Sequence, residues 1–335
     1  MRAVAPGRVN LIGDHTDHTG GLVLPIAVDL ATTVVGRRGG RRVVLRSDDE
    51  PEPAVVDLDG VDAATVTPPW ARYVAGVVAE LRPEQGFEGR VSTTLPIGGG
   101  MSSSAALEVA VALALDAPDS EPVALARLCQ RAEQRAVGVP CGPMDQLASA
   151  AGRAGHALLI DCHDLTIEAV AMPEGLEVVV VDSGQPRSLA GSAYAERTAE
   201  CASAEAVIGP LRRARAGDEA AIADRTIAAR ARHVISENER VRVAAAALAE
   251  GDVSVLGAAM RASHTSLRDD FAVSIAVLDD LVGRLDATSG VHGARLTGAG
   301  FGGCVVALAE PGVLARWGPE RSWAVQAADG ARVGG

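Results

Sequence analysis

The sequence predicts an α+β protein built from two lobes of similar size. Its 335 residues are enough for two domains, since one domain commonly takes about 150 residues. Strand-like and helical patterns are mixed up to about residue 170, and mostly helical patterns follow to about Leu285. We therefore expect an N-terminal lobe over residues 1–170 and a C-terminal lobe over residues 171–335.

The composition is that of a folded protein and excludes several kinds of chemistry. Hydrophobic residues make up 48% of the chain and charged residues 22%. The net charge of −12 argues against a nucleic-acid-binding protein, because a phosphate backbone needs clustered positive charge. All 31 basic residues are Arg. The absence of Lys excludes a Walker-A loop, a protein-kinase fold and a pyridoxal-phosphate Schiff base.

The cysteines and the apolar segments predict a cytoplasmic protein. Five Cys without a C-x-x-C pair favour reduced thiols over a disulfide framework or a zinc site. Residues 1–14 lack the apolar region of a secretory signal, and no apolar run approaches the length of a membrane span. We expect no membrane partner and a monomer.

The elements follow from turn residues and apolar periodicity, in chain order. The first residues, with Pro6, Gly7 and Gly13, are predicted to be turn-rich. The segments that follow, up to residue 182, are strands around Leu22–Ile26 and Val43–Ser47, a helix over Trp70–Leu81, a strand over Arg90–Leu95, helices over Ser102–Leu115, Val123–Val137 and Asp145–Ala151, and strands over His156–Asp161 and Glu177–Asp182. Helices then dominate, with breaks at Gly209-Pro210, Glu250-Gly251 and Asp269-Asp270, before strands over Ala294–Leu296 and Cys304–Ala309.

A glycine triplet followed by three serines is the strongest chemical signal. Residues 95–106, L-P-I-G-G-G-M-S-S-S-A-A, place this run between a strand and a helix. Glycine lets backbone N–H groups approach an anion, and the start of a helix adds unpaired N–H groups and a positive dipole end. Such a loop can hold a triphosphate without Lys. The alternative, a Ser helix cap after a flexible turn, explains one Ser and one Gly better than three of each.

Asp145 follows a Gly-Pro turn in residues 142–146, G-P-M-D-Q. As a functional group its carboxylate could orient or deprotonate an attacking hydroxyl, as the catalytic Asp does in other phosphoryl transferases. As a structural group it would cap a helix. The motif alone leaves both interpretations open.

Polar side chains are concentrated near the N-terminus beside an apolar segment, at Arg8, Asn10, Asp14, His15, Asp17 and His18. Carboxylates and imidazoles can form directed hydrogen bonds with several hydroxyls of a polyol. A metal site made from His15, Asp17 and His18 and a solvated loop are the alternatives. The metal site lacks the i, i+4 His pair that a helix would supply.

A second glycine-rich segment lies at residues 296–304, L-T-G-A-G-F-G-G-C. It contains G-x-G-x-x-G, but it precedes a strand and has no βαβ unit after it, so it does not predict a dinucleotide site. A loop that lets a backbone approach a ligand closely is the better interpretation.

In this order, the four segments resemble the galactokinases, a family of the GHMP small-molecule kinase superfamily. Residues 7–17, G-R-V-N-L-I-G-D-H-T-D, resemble the galactokinase signature G-R-V-N-L-I-G-E-H-T-D. Residues 98–106 resemble the phosphate loop, residues 141–146 the catalytic Asp segment, and residues 297–304 the third motif. The resemblance implies the two-lobed GHMP kinase fold, with an N-lobe like domain 2 of ribosomal protein S5 and a helix-rich, ferredoxin-like C-lobe.

The resemblance also implies roles for individual residues. Asp145 would be the catalytic base, or the group that orients the C1 hydroxyl of the sugar. Arg8 beside it would keep Asp145 ionised and stabilise charge on the transferring phosphoryl group. The groups implied to hold the sugar hydroxyls are Asp14, His15, Asp17, Gly142 and Tyr194.

For the nucleotide, the resemblance implies contacts along the phosphate loop from Gly98, Gly99, Gly100, Met101, Ser102, Ser103 and Ser104. Trp70 and Tyr73 match the adenine region, with ordinary core packing as the alternative. Ser104 and Glu133 would coordinate Mg²⁺ directly or through water, because hard oxygen ligands suit this ion.

Four departures from the family pattern lie on or near the expected sugar side. Asp14 stands in place of Glu and is one methylene shorter, and His18 stands in place of Tyr. Residues 185–187, Gln-Pro-Arg, replace the common V-[KR]-H, and Thr198 replaces an Arg. The nucleotide loop is intact, so the departures bear on the choice of sugar.

These observations predict an ATP-dependent sugar kinase that acts on the anomeric C1 hydroxyl. The leading expectation is the conversion of D-galactose to α-D-galactose 1-phosphate, with ATP and Mg²⁺. One alternative is a GHMP kinase for another sugar or a cyclitol. The other is a non-catalytic, galactokinase-like ligand sensor, against which the intact Arg8, Asp145, Ser104 and Glu133 argue.

Overall fold

The structure is a computed structural model that describes residues 1–118, 121–138, 140–186, 190–317 and 322–334. Its strands are β1 (Arg2–Asn10), β2 (Leu22–Val23), β3 (Pro25–Arg38), β4 (Arg42–Ser47), β5 (Ala54–Asp57), β6 (Phe87–Thr93), β7 (His156–Asp161), β8 (Thr166–Ala171), β9 (Glu177–Asp182), β10 (Val291–Thr297), β11 (Cys304–Ala309), β12 (Ser322–Val325) and β13 (Arg332–Gly334). Its α-helices are α1 (Ala71–Leu81), α2 (Ser103–Ala114), α3 (Pro122–Val137), α4 (Met144–Ala151), α5 (Ala190–Ile208), α6 (Arg225–Glu250), α7 (Val253–Asp269), α8 (Ala276–Asp286) and α9 (Val313–Trp317).

A six-stranded sheet with α1 to α4 forms what we call the N-lobe. The strand order is β13-β1-β3-β6-β4-β5, with β4 and β6 parallel and the other neighbours antiparallel. Helices α2 and α4 pack on β1 and β3, and α1 packs on α2 and α3. The core between them uses small and branched side chains such as Val74, Val109 and Leu113, so the helices lie close to the sheet.

The first strand corrects a prediction. Pro6 and Gly7 predict turn-rich structure near the N-terminus, but β1 is a nine-residue strand that contains both. A bulge between Pro6 and Arg8 accommodates the turn-forming residues within the strand. A side chain at Gly7 would collide with Leu95 and with the carbonyl oxygen of Met101, so Gly7 allows the phosphate-loop segment to approach β1.

A four-stranded antiparallel sheet with α5 to α8 forms what we call the C-lobe. Its order is β10-β11-β9-β12. Helices α7 and α8 pack on β10, and α6 packs on α5 and α7. The predicted helix breaks are confirmed, since α5, α6 and α7 end within one residue of Gly209, Gly251 and Asp270.

The two lobes share a hydrophobic core. Val9 and Ile26 of the N-lobe belong to the same buried cluster as Val241, Leu256 and Val306 of the C-lobe. The three-stranded sheet β2-β7-β8 lies against α6, and β13 returns from the end of the chain to pair with β1. The division at residue 170 stays a prediction. Within the described ranges, no helix is both long and apolar enough to span a membrane.

Candidate active site

Side chains of both lobes line a cleft of about 750 Å³. It brings together Arg8 of β1, Asp145 of α4 and Tyr194 of α5. All the residues predicted for the site line this cleft except two: Gly99, which packs against Pro96, and Met101, which is buried.

Arg8 and Asp145 form a bidentate ion pair in the cleft. Nε and Nη2 of Arg8 each donate a 2.7 Å hydrogen bond to a different carboxylate oxygen of Asp145. Arg8 is 6% exposed, whereas the Asp145 side chain keeps 23% of its surface exposed. The paired bonds fix the plane of the carboxylate and leave part of it facing the cleft.

The phosphate loop is held from both lobes. Gly98 and Gly100 have φ of 75°, in the left-handed region that glycine adopts readily. Nη1 of Arg8 donates to the Gly100 carbonyl at 2.9 Å. From the C-lobe, the Cys304 thiol donates to the Gly99 carbonyl at 2.9 Å. The loop conformation therefore depends on the same arginine that binds Asp145.

The alternative interpretation of the serines, a cap of α2 by the Ser102 side chain, is not what the structure has. Ser102 occupies the N-cap position, but its side chain makes no capping bond and instead donates to Asp145. The reason is its backbone, since φ of 53° differs from the extended conformation of a capping residue. The first turn of α2 is left without a side-chain cap, as a helix N-terminus that binds an anion requires.

Ser104 and Glu133 meet beside the phosphate loop. The Ser104 hydroxyl donates to Oε1 of Glu133 at 3.1 Å, and Nε2 of Gln146 donates to Oε2 at 2.6 Å. Burial and then the Asp145 charge raise the pKa of Glu133. The described residues contain no group of three or more metal-binding side chains. Two hard oxygen donors nevertheless fit Mg²⁺, which keeps several waters and takes phosphate oxygens.

Apolar side chains form part of the cleft wall. Ile97, Leu107 and Val137 line it together with Trp70 and Tyr73. The Trp70 ring belongs to the N-lobe core, and its Nε1 donates to the Glu52 carbonyl at 3.0 Å. Trp70 is thus both a core residue and a cleft residue. Burial raises the pKa of Tyr73 to about 12.

Both carboxylate oxygens of Asp14 accept hydrogen bonds from neighbouring residues. Oδ2 accepts from Arg295 and from Nδ2 of Asn10 at 3.0 Å, and Oδ1 accepts from the Gly298 amide at 2.8 Å. Arg295 is fully buried and also donates to the Leu11 carbonyl at 3.0 Å. Asp14 therefore anchors residues 10–18, here called loop 10–18, to β10.

Helix α6 holds loop 10–18 from a second direction. Oε1 of the buried Glu237 accepts from the Gly13 amide at 3.0 Å. Nε2 of His233 lies 3.1 Å from the Asp14 carbonyl oxygen. Loop 10–18 is thus an N-lobe segment whose conformation is set by the C-lobe.

Aromatic rings surround the histidines of loop 10–18. The His15 ring lies 4.6 Å from Phe271 and 5.6 Å from Tyr194, and the His18 ring lies 5.8 Å from Tyr194. Burial lowers the pKa of His15 well below its usual value and that of His18 to about 4. Both imidazoles are therefore neutral at pH 7. Within the described ranges, His15, Asp17 and His18 form no metal-binding group.

Asp17 packs directly against Gly142. A side chain at Gly142 would overlap the Asp17 carboxylate, so glycine is required there. Burial and then the charge of Asp145 raise the pKa of Asp17 to about 7.

Among the departures noted in the sequence, Arg187 lies outside the described residues.

Three buried charged residues were missed by the sequence analysis. Arg295, Glu237 and Glu108 are each 0% exposed, and each bonds to a neighbour of the cleft. Glu108 and Arg295 each stand between two apolar residues, and that pattern was their signal. Glu237 lies between Ser236 and Asn238 in a polar stretch of α6, so the sequence carried no such signal for it. A charged residue is rarely buried unless it is paired, so that pattern predicts a partner but does not identify it.

Comparisons with known proteins agree with this geometry. Three family models match the chain: the galactokinase galactose-binding signature at residues 1–38, the GHMP kinases N terminal domain at residues 72–153 and the GHMP kinases C terminal at residues 244–316. The galactokinase of Roseiflexus sp. (strain RS-1) is 44% identical, covering 91% of this chain and 82% of that protein. The galactokinase of Homo sapiens is 42% identical, covering 98% of this chain and 91% of that protein.

Solved structures show the same likeness. The chain superimposes on the galactokinase of Lactococcus lactis, solved in complex with galactose, with a TM-score of 0.90 and 31% identity, over 99% of this chain and 94% of that one. A mevalonate kinase matches with a TM-score of 0.69 and 18% identity, over 97% and 98% of the two chains, which shows the shared fold. The predicted two-lobed GHMP kinase fold is confirmed, and the chain belongs to the galactokinase family of the GHMP kinases.

Proposed function

We propose that the chain is an ATP-dependent kinase that phosphorylates D-galactose at the anomeric C1 hydroxyl. The ion pair of Arg8 and Asp145 carries the proposal, because it lies between the phosphate loop and loop 10–18. An acceptor hydroxyl bound by loop 10–18 would face Asp145 on one side and the nucleotide phosphates on the other. This is the arrangement that phosphoryl transfer requires.

Asp145 orients the C1 hydroxyl and accepts its proton as the oxygen attacks the γ-phosphorus. The bond from the γ-phosphorus to the oxygen that bridges it to the β-phosphate breaks, and ADP leaves. The bidentate bond from Arg8 and the Ser102 hydroxyl hold the carboxylate in place, so little reorganisation precedes the reaction. Arg8 is also the cation of the cleft nearest to Asp145, and in a chain without Lys it stabilises negative charge on the transferring group.

The nucleotide phosphates bind to N–H groups of the phosphate loop and of the first turn of α2. The Gly99 amide is not one of them, because it donates to the Pro96 carbonyl at 3.0 Å. Ser104 and Glu133 hold Mg²⁺, directly or through water. The bound ion supplies charge neutralisation of the phosphate oxygens. The adenine packs on the apolar wall near Trp70 and Tyr73. Gly99 and Met101 shape the loop, since neither lines the cleft and the Met101 side chain is buried.

The sugar hydroxyls bind to Asp14, His15, Asp17, Tyr194 and the backbone at Gly142. Neutral His15 can donate one hydrogen bond and accept another, which matches a hydroxyl group. Asp14 already accepts from Arg295 and Gly298, so few of its lone pairs are left for a sugar. That observation favours, as the second candidate, a GHMP kinase for another sugar or a cyclitol.

The protein is further proposed to act as a cytoplasmic monomer. None of the five cysteines forms a disulfide, in keeping with a reducing compartment. Sedimentation of the purified chain tests the oligomeric state.

A turnover assay tests the proposal. ADP release is measured with galactose, glucose, galactosamine and a cyclitol as acceptors. Galactose-dependent ADP release above the other acceptors is expected. Preference for a cyclitol or another sugar would favour the second candidate. Failure of every acceptor, with retained thermal stabilisation by ligand, would identify a ligand sensor.

A further inference from the structure

Gln146 stands between the carboxyl groups of the buried Glu108 and the half-buried Glu133. It follows Asp145 in α4 and is 0% exposed. Its Nε2 donates to Oε2 of Glu133 at 2.6 Å and to Oε2 of Glu108 at 3.1 Å. An amide nitrogen carries two N–H groups, so both donors are used.

The two carboxylates determine the orientation of the amide. The reversed amide would place Oε1 of Gln146 against the oxygens of Glu133 and Glu108, which is electrostatically unfavourable. A single carboxylate would leave one N–H without an acceptor in a buried site. Glu108 therefore completes the bonding of the Gln146 nitrogen.

A contribution to folding stability does not by itself explain the cluster of Gln146, Glu108 and Glu133. Oε1 of Gln146 and Oε1 of Glu108 are buried and have no hydrogen-bond partner among the described residues. A buried, unsatisfied polar atom costs about 1–3 kcal/mol, so an apolar pair would make a better core. The bonds that are formed converge on Glu133, whose other oxygen accepts from Ser104. Unfavourable buried polar groups concentrate at functional sites.

We propose that Gln146 is a positioning residue for Glu133, and that Glu108 is the acceptor that holds the Gln146 amide in its orientation. The inference rests on the proposed function, in which Glu133 and Ser104 take the Mg²⁺ that accompanies ATP. With Oε2 held by Gln146, the Glu133 carboxylate keeps Oε1 at Ser104 beside the phosphate loop. Outer partners of this kind commonly change metal affinity or activity 10- to 100-fold when removed.

The test compares Gln146→Met with a matched control, Gln134→Met. Met has a similar length but cannot donate a hydrogen bond. Gln134 is a glutamine of α3 whose Nε2 donates to the Cys141 carbonyl, which keeps a 2.8 Å bond from Gln130. Binding of the non-hydrolysable analogue AMP-PNP is measured calorimetrically in excess Mg²⁺ and in EDTA. The thermal midpoint of each unliganded variant is also measured.

In the wild type, Mg²⁺ is expected to tighten AMP-PNP binding. We call the ratio of the Kd in EDTA to the Kd in excess Mg²⁺ the Mg²⁺ advantage. Gln146→Met is expected to reduce the Mg²⁺ advantage by about tenfold, while AMP-PNP binding in EDTA stays unchanged. The Mg²⁺ concentration needed for half-maximal turnover is expected to rise by a similar factor. Gln134→Met is expected to keep the full Mg²⁺ advantage. A Gln146→Met protein that is less stable but keeps that advantage would overturn the inference while leaving the proposed function standing. A wild type without any Mg²⁺ advantage would overturn the proposed metal site and the inference with it.

A second pair of variants keeps the test decisive if Gln146→Met does not fold. Glu108→Gln retains an acceptor oxygen for the Gln146 amide, whereas Glu108→Met removes it. Glu108→Gln is expected to keep a Mg²⁺ advantage close to that of the wild type, and Glu108→Met to lose it as Gln146→Met does. Equal Mg²⁺ advantages in the two Glu108 variants would contradict the role assigned to Glu108.

Discussion

Arg8 and Asp145, which are 137 residues apart in the chain, are joined by two hydrogen bonds of 2.7 Å. The same guanidinium donates to the phosphate loop at Gly100. One buried arginine of β1 thus bonds both to the Asp145 carboxylate and to the phosphate loop. These bonds fix the distance between the carboxylate and the loop. This link is the basis for the first two predictions.

Asp145→Asn tests the role of the carboxylate in proton transfer. The amide keeps the shape of the side chain but cannot accept the hydroxyl proton, so kcat is expected to fall on the order of 100-fold or more. Thermal stabilisation by galactose is expected to persist. Steady-state kinetics and a thermal shift measure the two effects. Turnover at the wild-type rate would show that Asp145 is not the base.

Gly98→Ala tests the conformation of the phosphate loop. Gly98 has φ of +75°, and a Cβ there would meet no protein atom within 4 Å, so the cost is backbone strain of about 1–2 kcal/mol. The KM for ATP is expected to rise by about tenfold. Gly175→Ala is the matched control, since Gly175 has φ of +82° and the same open surroundings but lies outside the cleft. An equal effect of the two variants on the KM would refute the prediction.

The Asp14–Arg295 pair is expected to be strongly coupled. Arg295→Met leaves Asp14 buried without its cation, so the free energy of unfolding should fall by about 3–5 kcal/mol. The double variant Asp14→Asn with Arg295→Met is expected to lose less than the sum of the single losses. Urea denaturation of the three variants gives the coupling energy. Additive losses would mean that the pair does not hold loop 10–18 together.

Asp17→Asn is expected to change how stability depends on pH. The pKa of Asp17 is raised in the folded protein from 3.8 to about 7, so the folded state binds more protons than the unfolded state between these values. The contribution of Asp17 to stability is therefore full below pH 4 and is lost as pH rises through 7. The advantage of Asp17→Asn over the wild type should grow between pH 5 and pH 8, by on the order of 2 kcal/mol.

Thermal or urea unfolding of the unliganded proteins at both pH values measures this change. Asp57→Asn serves as the control, because Asp57 is exposed and pairs with Arg42 at the surface. The histidines of loop 10–18 act in the opposite direction, since lowered pKa values make stability rise with pH. Comparison of each variant with the wild type cancels that contribution. An advantage of Asp17→Asn that is the same at both pH values would contradict the raised pKa.

The sequence predicted the parts of the fold that depend on local patterns. The helices that became α1, α3, α4 and α6 to α8, and the strands that became β7, β9 and β11, follow apolar periodicity and clear breaks. Strand β1 was missed because Pro6 and Gly7 are usual turn residues. Only the pairing of β1 with β3, and the bulge within it, shows that they belong to a strand.

The site residues that could be predicted are those that a local sequence motif or the family pattern identifies without knowledge of the tertiary contacts. Arg8 and Asp145 lie in motifs, the family resemblance implied the roles of Ser104 and Glu133, and the fold brings all four to one cleft. The partners of Asp14 were not predictable, because Arg295 is 281 residues away and reaches it only through the packing of the two lobes. Ser102 shows the same limit, since its hydroxyl bonds to Asp145 and not to its own helix.

The Arg8–Asp145 pair is expected to direct the C1 hydroxyl of galactose toward ATP. The most direct measurement is ³¹P and ¹H NMR of the product formed from galactose and ATP by the wild-type protein and by Asp145→Asn. A phosphate ester on C1 in the α configuration is expected with the wild type, and little product with the variant. A phosphate on any other hydroxyl, or equal amounts of product from the two proteins, would contradict it.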